Sequence, residues 1–563
     1  MTEDTTAATE PTPENARTAA SEPADKGPTN PRRWIGLLFI SLAVSLVIVD
    51  STIVNVAVPS IVRDLQITST EIQWVQEAYT LVFAALLMVF GALADRFGRR
   101  RMLTIGLTLF TLSSIAAGMA ESGELLILSR IVQGIGGAMV LPTTLSLVNA
   151  EFRGKERGIA FAIWGSTIGG MVAVGPLLGG WLTTDYSWRW AFGINIPIGI
   201  IIIIGALLTV PESKEDGNTG RIDWLGAFYS VIAMSTLVFG LIEGRTYGWW
   251  EVNKPFTVGD WTWPGKVSII PVMFLVFVLA TTLFIAHGAA RLKKGKQALI
   301  AFKLFGIASF RNGNIAAMVI ALGEFGIILS LPLWLQFVIG YDALQTGFVL
   351  LGLAGGAFVA SGLAGGLSGK VSPVAMVRLG IILEIIGVAG VGFAISPTAT
   401  WINVVPWLFV YGMGVGLATA QLTNVVLKDV PVQESGQASG TQSTARQLGS
   451  ALGIAILGTI LFTSVQVELT QKLTEEKLPQ AQVTQIVNAV VDSAGGAIVG
   501  FEKDPTTQPI ATDAKVAISD GTRYGAFAAA GFLGLGFLAT LSLGATRKEE
   551  VKKIHEGGDA HVI

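Results

Sequence analysis

The sequence predicts an all-α polytopic membrane protein, and three observations point to that fold class. The 563 residues are 51% hydrophobic and only 14% charged, with a mean hydropathy of +0.60. The 67 glycines are typical of transmembrane helices, in which small residues let neighbouring backbones come close. Apolar runs of about 20 residues, enough to cross a bilayer as a helix, follow one another along most of the chain. These features favour one bundle of membrane helices over several soluble domains.

The composition argues against several kinds of chemistry. The chain has no cysteine and three histidines, so we expect neither a disulfide framework nor a thiolate or histidine metal cluster. The net charge of −2 is uninformative about nucleic acid, but the sequence has no Lys/Arg-rich stretch interleaved with aromatic residues that would indicate a nucleic-acid surface. No phosphate-binding loop of the pattern Gly-x-x-x-x-Gly-Lys-Ser/Thr occurs, so no nucleotide motor is encoded. We therefore expect no cofactor, no metal, no enzymatic activity and no nucleic-acid partner.

About fourteen spans follow a polar N-terminal segment. Residues 1–33 are acidic and have too little apolar surface to fold, which predicts a disordered cytoplasmic tail. The next apolar run is too long for a signal peptide and is expected to be a retained first span. A second cytoplasmic tail is expected at 547–563. The predicted spans 1 to 14 cover residues 34–58, 74–94, 102–120, 124–148, 158–182, 190–210, 222–242, 267–289, 312–338, 344–368, 374–396, 402–427, 438–465 and 523–545.

Positive charge in the loops predicts the orientation of the spans. Lysine and arginine concentrate in 96–101, 153–157 and 291–311, whereas the alternate loops around Arg63, Arg189 and Asp342 are poor in both residues. The loop 211–223 is ambiguous, because its two cations stand among acidic residues, and it keeps its cytoplasmic assignment because acidic residues count little. Cytoplasmic loops are enriched in these cations, so we expect a multi-pass protein of the cell membrane with both termini in the cytoplasm. Two outer loops are long. Residues 243–266 have aromatic residues suited to the interfacial belt, and the helical periodicity near 466–493 predicts a small surface hairpin of helices.

A weak internal repeat predicts two related halves. Gly91 and Gly98 align with Gly362 and Gly369, and a further set aligns at one common shift. That set pairs Gly134, Gly136, Gly158 and Gly175 with Gly412, Gly414, Gly436 and Gly453. We infer a six-helix bundle at 34–210, two inserted helices with flanking loops at 211–311, and a second six-helix bundle at 312–546 that includes the outer loop 466–522. Secondary transporters are built from such halves and bind substrate between them near the midplane.

Ionisable residues inside the spans are the candidate functional groups, since each costs about 2.5–3.5 kcal/mol at the centre of a helix. Asp50 in span 1 and Arg130 in span 4 are expected at similar depth. Glu324 in span 9 has no obvious local cation, which favours a carboxyl that binds and releases protons, because burial disfavours its charged form. Arg446 in span 13 is expected to tie helices together. Glu384 in span 11 is expected on a peripheral helix with a structural role.

Asp50 has an alternative interpretation as a structural residue. Its neighbours Ser51, Thr52 and Asn55 could use the carboxylate as a local hydrogen-bond acceptor.

Residues Gly91 to Arg101 connect spans 2 and 3 with the sequence Gly-Ala-Leu-Ala-Asp-Arg-Phe-Gly-Arg-Arg-Arg. A plain basic loop that sets topology is one interpretation, and Asp95 could also face the positive end of a helix. The pattern resembles the loop between the second and third helices of major facilitator superfamily transporters, and every fixed position is present. The resemblance implies a conformational switch formed by Gly91, Asp95, Arg96, Gly98 and Arg99.

Span 5 contains a Gly-Pro pair that can weaken one helical turn and act as a hinge, with small-residue packing as the alternative. This run resembles the antiporter motif of proton-coupled drug exporters, and further matches lie at 49–59, 128–138, 187–197 and 446–453. The membrane region resembles the 14-helix drug:proton antiporter family of the EmrB/QacA type. That resemblance implies the major facilitator fold, with two six-helix bundles plus two inserted helices. The residues of the motif are Gly165, Gly169, Gly175, Pro176 and Gly179.

Together these features predict a proton-coupled exporter of amphipathic cationic drugs or dyes that works by alternating access. Asp50, Arg130 and Glu324 would couple protons to transport. An exporter of a lipid, siderophore or metabolite on the same scaffold is the alternative, and a membrane-embedded enzyme or receptor is the least favoured. Expected partners are a small-molecule substrate, protons and the lipid bilayer, and we expect a monomer. Candidate cavity contacts, with packing as the alternative for the aromatic ones, are Glu77, Trp164, Trp334, Gln336 and Tyr411.

Overall fold

The computed structural model describes residues 31–67, 69–214, 223–258, 261–296, 298–367 and 370–558. The predicted disordered tail lies almost entirely outside the described residues. The helices are α1 Arg33–Leu65, α2 Ser69–Phe97, α3 Arg99–Gly118, α4 Gly123–Glu151, α5 Gly154–Asp185, α6 Trp190–Gly193, α7 Asn195–Thr209, α8 Trp224–Tyr247, α9 Ile269–Lys293, α10 Ala308–Phe337, α11 Ala343–Leu367, α12 Pro373–Ala394, α13 Trp401–Leu427, α14 Ser435–Glu475, α15 Gln480–Asp492, α16 Ile498–Phe501 and α17 Gln508–Gly558.

The predicted polytopic helical fold is confirmed. Within the described ranges, thirteen helices are long and apolar enough to cross a membrane, and they coincide with thirteen of the predicted spans. The remaining predicted span corresponds to α5, which has 32 residues. A two-stranded antiparallel hairpin, β1 Thr257–Val258 with β2 Trp261–Thr262, lies in the aromatic outer loop.

Helix contacts divide the membrane helices into two sets and an added pair. In one set α1 packs on α5 and α7, and α4 packs on α2 and α3. In the other, α10 packs on α14 and α17, and α13 packs on α11 and α12. The added pair, α8 and α9, packs together and leans on α2 and α14. These sets follow the predicted order of helices, whereas the predicted domain boundaries stay a prediction.

Polar side chains cap the first turn of several helices. Ser122 accepts a hydrogen bond from Leu125 N at the start of α4, and Asp223 accepts one from Gly226 N at the start of α8. Such caps satisfy backbone N–H groups that the first helical turn leaves without partners.

The predicted hairpin of helices is present in the outer segment 466–522, because α15 follows the end of α14 and lies against it. The boundaries of the neighbouring helices differ from the prediction: α14 continues without a break to Glu475, and α17 begins at Gln508 instead of near residue 523. In this segment α14 and α17 stay side by side, with Lys472 Nζ 3.4 Å from Asp513 Oδ1. Helix α15 packs back on α14 and buries Val483 and Val487. The segment is therefore an extension of two membrane helices, because its apolar residues find partners along α14.

Candidate functional site

A buried ion pair joins α1 to α4. Arg130 Nη1 donates to Asp50 Oδ2 at 2.6 Å, and the two side chains are 2% and 0% exposed. Arg130 Nε also donates to the carbonyl of Val75 at 3.2 Å, and the guanidinium lies 4.2 Å from the ring centroid of Tyr79. Asp50 and Arg130 therefore lie at similar depth, as expected, and their charges are in direct contact.

Two amides hold the second oxygen of Asp50. Gln133 Nε2 and Asn195 Nδ2 each donate to Asp50 Oδ1 at 2.7 Å, and both also donate to Ser114 Oγ. The network connects α1, α3, α4 and α7. Because both carboxylate oxygens accept charge-assisted bonds, the ionised form of Asp50 is well satisfied here despite its burial.

The local alternative for Asp50 is wrong for two of its three neighbours. The Ser51 hydroxyl donates to the carbonyl of Ile48, and the Thr52 hydroxyl donates to backbone carbonyls one turn earlier. The side chain of Asn55 lies outside what the structure describes.

A second acid–base pair lies in the other set of helices. Arg446 Nη2 is 3.3 Å from Glu324 Oε2, and Thr419 Oγ1 donates to Glu324 Oε1 at 3.0 Å. Tyr411 Oη donates to the backbone carbonyl of Glu324 at 3.0 Å. The sequence offers Glu324 no local cation, and the structure supplies a distant one, because α14 brings Arg446 into contact from 122 positions away. Arg446 does tie α14 to α10, whereas proton exchange at Glu324 stays a prediction.

Glu384 lies inside the bundle although its helix is peripheral. Helix α12 exposes Leu379, Ile386 and Phe393 along one face, but Glu384 is 0% exposed on another. Neither of its carboxylate oxygens has a hydrogen-bond partner among the described residues. The expected structural role therefore gains no support from any contact of this carboxyl.

Asp95 faces the N-terminus of a helix, and that helix belongs to the other set. Its Oδ1 accepts from Gly436 N at 2.7 Å and its Oδ2 from Gln437 N at 2.8 Å, both in the first turn of α14. Arg99 Nη2 donates to Asp95 Oδ1 at 2.7 Å and to the carbonyl of Val432 at 2.6 Å. The helix N-terminus and the arginine both stabilise the carboxylate, so this loop clasps the two sets together at one end of the molecule.

Two glycines shape the same loop. Gly98 has φ of +107°, in the region that favours glycine, and separates α2 from α3. A Cβ on Gly91 would lie 2.5 Å from the carbonyl oxygen of Gly436, so the backbones of α2 and α14 meet there without side chains. The Arg96 guanidinium lies 5.9 Å from the ring centroid of Phe97 at the edge of this contact.

Comparison with known families identifies the scaffold. Residues 40–454 match the family described as Major Facilitator Superfamily. The chain belongs to the major facilitator superfamily. It is similar to solved structures of that fold, among them the proton:xylose symporter XylE, with a TM-score of 0.53, 14% identity, and coverage of 83% of this chain and 95% of that one. A human organic anion transporter, MFSD10, gives a TM-score of 0.54 at 12% identity, covering 91% and 99%. These two similarities concern the fold alone.

Within the superfamily, curated relatives include exporters. The chain is 32% identical over 453 residues to a protein named probable actinorhodin transporter from Streptomyces coelicolor, covering 77% of this chain and 73% of that protein. It is 30% identical over 516 residues to multidrug resistance protein Stp from Mycobacterium tuberculosis, covering 91% and 92%. Over 472 residues it is 29% identical to the multidrug efflux pump LfrA from Mycolicibacterium smegmatis, covering 83% and 87%.

In this superfamily member the glycine-rich α5 lies between the two sets. A Cβ on Gly165 would lie 2.7 Å from the Ala420 side chain of α13, and one on Gly179 would lie 2.8 Å from the Ile53 carbonyl of α1. Gly175 likewise faces Thr52 and the Val49 carbonyl of α1. Pro176 is inside the helix, and the surroundings of Gly169 lie outside the described part. Small-residue packing is therefore present, and hinge motion stays a prediction.

The five candidate cavity residues lie on four helices, α2, α5, α10 and α13. Trp164 is buried and donates to Thr144 Oγ1 at 3.2 Å, and Trp334 is buried and donates to Ser519 Oγ at 3.2 Å. Tyr411 bonds to α10 as described above, and Gln336 is half-buried. Packing thus accounts for the two tryptophans, while contact with a substrate stays a prediction for all five.

Glu77 has an acidic neighbour that the sequence does not reveal. Its half-buried side chain on α2 lies within hydrogen-bond range of Glu243 on α8. Glu243 is 3% exposed, so the contact joins the first set to the inserted pair. Two carboxyls this close cannot both be ionised at little cost.

At the opposite end of the bundle, residues 187–197 make a second polar contact with α1. Trp188 Nε1 donates to Asp64 Oδ2 at 2.9 Å, and Arg189 forms an ion pair with the same carboxylate. Hydrogen bonds from Arg189 and Trp188 lower the pKa of Asp64 below its ordinary value. The run therefore anchors α6 to the end of α1.

Sequence reasoning missed the two amides that complete the Asp50 network. Gln133 follows Arg130 by three positions, a spacing that places both on one helix face, and this signal was available. Asn195 lies in the 187–197 run that resembles a family signature, but nothing in its spacing indicates that it reaches Asp50.

Proposed function

We propose that this protein is a proton-coupled exporter of amphipathic, cationic drugs or dyes. The observation that carries the proposal is the pairing of a buried carboxylate with an arginine in each set of helices, Asp50 with Arg130 and Glu324 with Arg446. Buried acids in a membrane bundle are costly and mark proton or substrate pathways. The relatives named as multidrug resistance and efflux proteins support a drug-like cargo.

Protonation of such an acid releases its arginine. The neutral carboxyl no longer attracts the guanidinium, and the buried cation must then find another partner, which favours a different arrangement of the helices. A bound cation competes with protons for the same carboxylates, so proton entry on one side lowers the affinity for cargo. Glu324 suits this role because the structure gives it one cation at 3.3 Å, a looser contact than that of Asp50.

Alternating access requires the two ends of the helix bundle to open one at a time. The Asp95 clasp holds one end shut, and the positive charge of the Gly91–Arg101 loop supports a cytoplasmic location for that end. We infer that the molecule has closed its cytoplasmic side, has both termini in the cytoplasm and works as a monomer. One proton moving down 100 mV supplies about 2.3 kcal/mol, enough for a concentration ratio of roughly 50.

A natural product is the second candidate cargo. Two relatives are named as a probable actinorhodin transporter and as a tetracenomycin C resistance and export protein, which supports export of a metabolite on the same scaffold. The same proton coupling would drive either cargo, so the proposals differ in substrate chemistry and share a mechanism.

Reconstitution into lipid vesicles tests the proposal. An imposed pH gradient should drive accumulation of a cationic dye, and a protonophore should abolish it. Neutral lipids, actinorhodin and tetracenomycin C, supplied in parallel, separate the second candidate from the first. Transport that persists after every gradient has collapsed would contradict proton coupling.

A further inference from the structure

The carboxyl of Glu384 is buried without a partner. The side chain is 0% exposed, and neither Oε1 nor Oε2 has a hydrogen-bond partner within the described ranges. An ionised carboxylate in such surroundings is so costly that the group takes up a proton instead. An unpartnered buried acid also weakens the fold, so its presence needs an explanation, and in a membrane bundle the default explanation is function.

Close packing keeps this carboxyl inside the bundle. A Cβ built on Gly414 of α13 would lie 2.6 Å from Glu384 Cγ, so glycine at 414 leaves the space that Glu384 occupies. Gly380, one turn earlier on α12, also meets the backbone of α13 at Gly414. The side chain therefore points away from the lipid-exposed face of α12 and into the set of helices that holds Glu324.

One cation faces two acids in this region. Glu384 interacts electrostatically with Glu324 of α10 and Arg446 of α14, and the Tyr411 phenol of α13 interacts with both carboxyls. Helix α17, which also packs on α12, contributes apolar contacts such as Phe527 against Phe393. With both carboxyls ionised, the cluster would hold an uncompensated negative charge in a medium of low dielectric constant.

We propose that Glu384 holds a proton in this conformation, and that Glu384 and Glu324 form a proton-binding pair in which Arg446 determines which carboxyl is ionised. While Arg446 contacts Glu324, Glu324 is the carboxylate and Glu384 the neutral acid. When Arg446 leaves Glu324, the O–H bond of Glu384 breaks and the proton bonds to a Glu324 oxygen. Arg446 then compensates the new carboxylate at Glu384, so the net charge of the cluster is unchanged.

The assignment rests on the proposed proton coupling and adds a second carboxyl to it. It also explains why an acid stands on a peripheral helix where an apolar residue would pack at lower cost.

Infrared spectroscopy of the full chain in lipid vesicles tests the protonation state, because a carboxylic acid has a C=O stretching band that a carboxylate lacks. At neutral pH the wild type should show such a band, to which the Glu77–Glu243 pair also contributes, and Glu384→Gln should lower its intensity by the share of one carboxylic acid. Glu384→Leu should lower it equally and serves as the second variant if the glutamine form does not fold. A band of the same intensity in the wild type and both variants, or a wild type without one, overturns the proposal.

Arg446→Met tests the control exerted by the arginine. Without its cation, Glu324 should also become protonated, and the band should grow by about as much as Glu384→Gln removes from it, because one more acid is then neutral. An unchanged band would overturn the role of Arg446. Circular dichroism and the thermal midpoint of each variant confirm that it is folded.

Transport distinguishes this proposal from the broader one. Glu384→Gln should lose stimulation of dye uptake by a pH gradient. Full stimulation in that variant overturns the pair. If a pH gradient fails to drive the wild type, the proposed function fails, and the infrared band still reports on Glu384. If the gradient works and the band is absent, only the Glu384 assignment fails.

Discussion

Arg130 Nη1 lies 2.6 Å from Asp50 Oδ2, although 80 positions separate the two residues. Each charge makes the burial of the other tolerable, and Gln133 and Asn195 satisfy the oxygen that the arginine leaves free. The pair is consequently a joint between helices as well as a candidate for proton exchange. Experiments on it must separate folding from transport.

Asp50→Asn should lower stability strongly. The substitution leaves Arg130 as an uncompensated buried cation, and loss of one partner from a buried pair typically costs about 3–5 kcal/mol. Thermal unfolding in detergent measures the change, and Asp50→Asn combined with Arg130→Gln should recover part of it. Asp64→Asn is the matched control, because its pair with Arg189 is exposed and should matter little. Equal losses for Asp50→Asn and Asp64→Asn would contradict the argument.

Glu324→Gln should abolish dye transport driven by a pH gradient while the protein stays folded in the membrane. The amide keeps the shape and the contact with Thr419, but it cannot exchange a proton. Initial rates in vesicles should fall at least ten-fold, corresponding to about 1.4 kcal/mol or more. The control is Glu475→Gln on the exposed outer extension, which should transport normally. Undiminished transport by Glu324→Gln would remove that carboxyl from the mechanism.

Asp95→Asn should weaken the contact between α2 and the first turn of α14. It weakens two bonds from the α14 N-terminus and the ion pair with Arg99, each a charge-assisted interaction worth about 1.5–3 kcal/mol. Because the chain has no cysteine, Ser439→Cys supplies a single buried reporter. Its labelling by a maleimide should speed up in the Asp95→Asn background.

Glu212→Gln is the control for that labelling experiment. Glu212 accepts backbone bonds from Arg100 and Arg101 in the same loop, but it follows α7 in the same set of helices. Its loss should leave labelling unchanged. If both variants speed labelling equally, the clasp between the two sets is not what shields the reporter.

Gly91→Val should prevent the clasp from closing. A Cβ at this position would lie 2.5 Å from the Gly436 carbonyl and 2.8 Å from Gly440 Cα, so α2 and α14 would have to separate. Gly362 is the counterpart of Gly91 in the internal repeat, and a Cβ added there would meet no other described atom within 4 Å. Gly362→Val should therefore behave as wild type. Transport by the two variants measures the asymmetry, and equal tolerance would argue against a tight α2–α14 contact.

The sequence was sufficient to predict the helices, because spanning length and apolar composition are properties of single segments. It also predicted a role for the residues of the Gly91–Arg101 loop, and the structure places Asp95 and Arg99 in contact with each other there. It could not reveal that Arg446 faces Glu324 or that Gly436 and Gln437 face Asp95, since these contacts join segments more than 100 positions apart. Contacts of this kind depend on how whole helices pack, which no local pattern encodes.

The outer segment 466–522 shows the same limit of prediction from local sequence patterns. Periodicity near 466–493 correctly indicated helix, but it could not show that α14 runs straight through the expected boundary to Glu475. The helix continues past the expected boundary because Leu469 and Leu473 are buried there. Polar residues in this stretch reduce hydropathy without ending the helix.

Helix α14 has 41 residues, which corresponds to about 60 Å of continuous rod. Its first turn contacts Asp95, its twelfth residue is Arg446, and its far end lies beside α17. Because one continuous helix joins these features, a displacement of its far end would be transmitted toward the Asp95 contact. With the orientation predicted from the loop charges, an antibody or peptide that binds the far end would therefore slow transport from outside the cell.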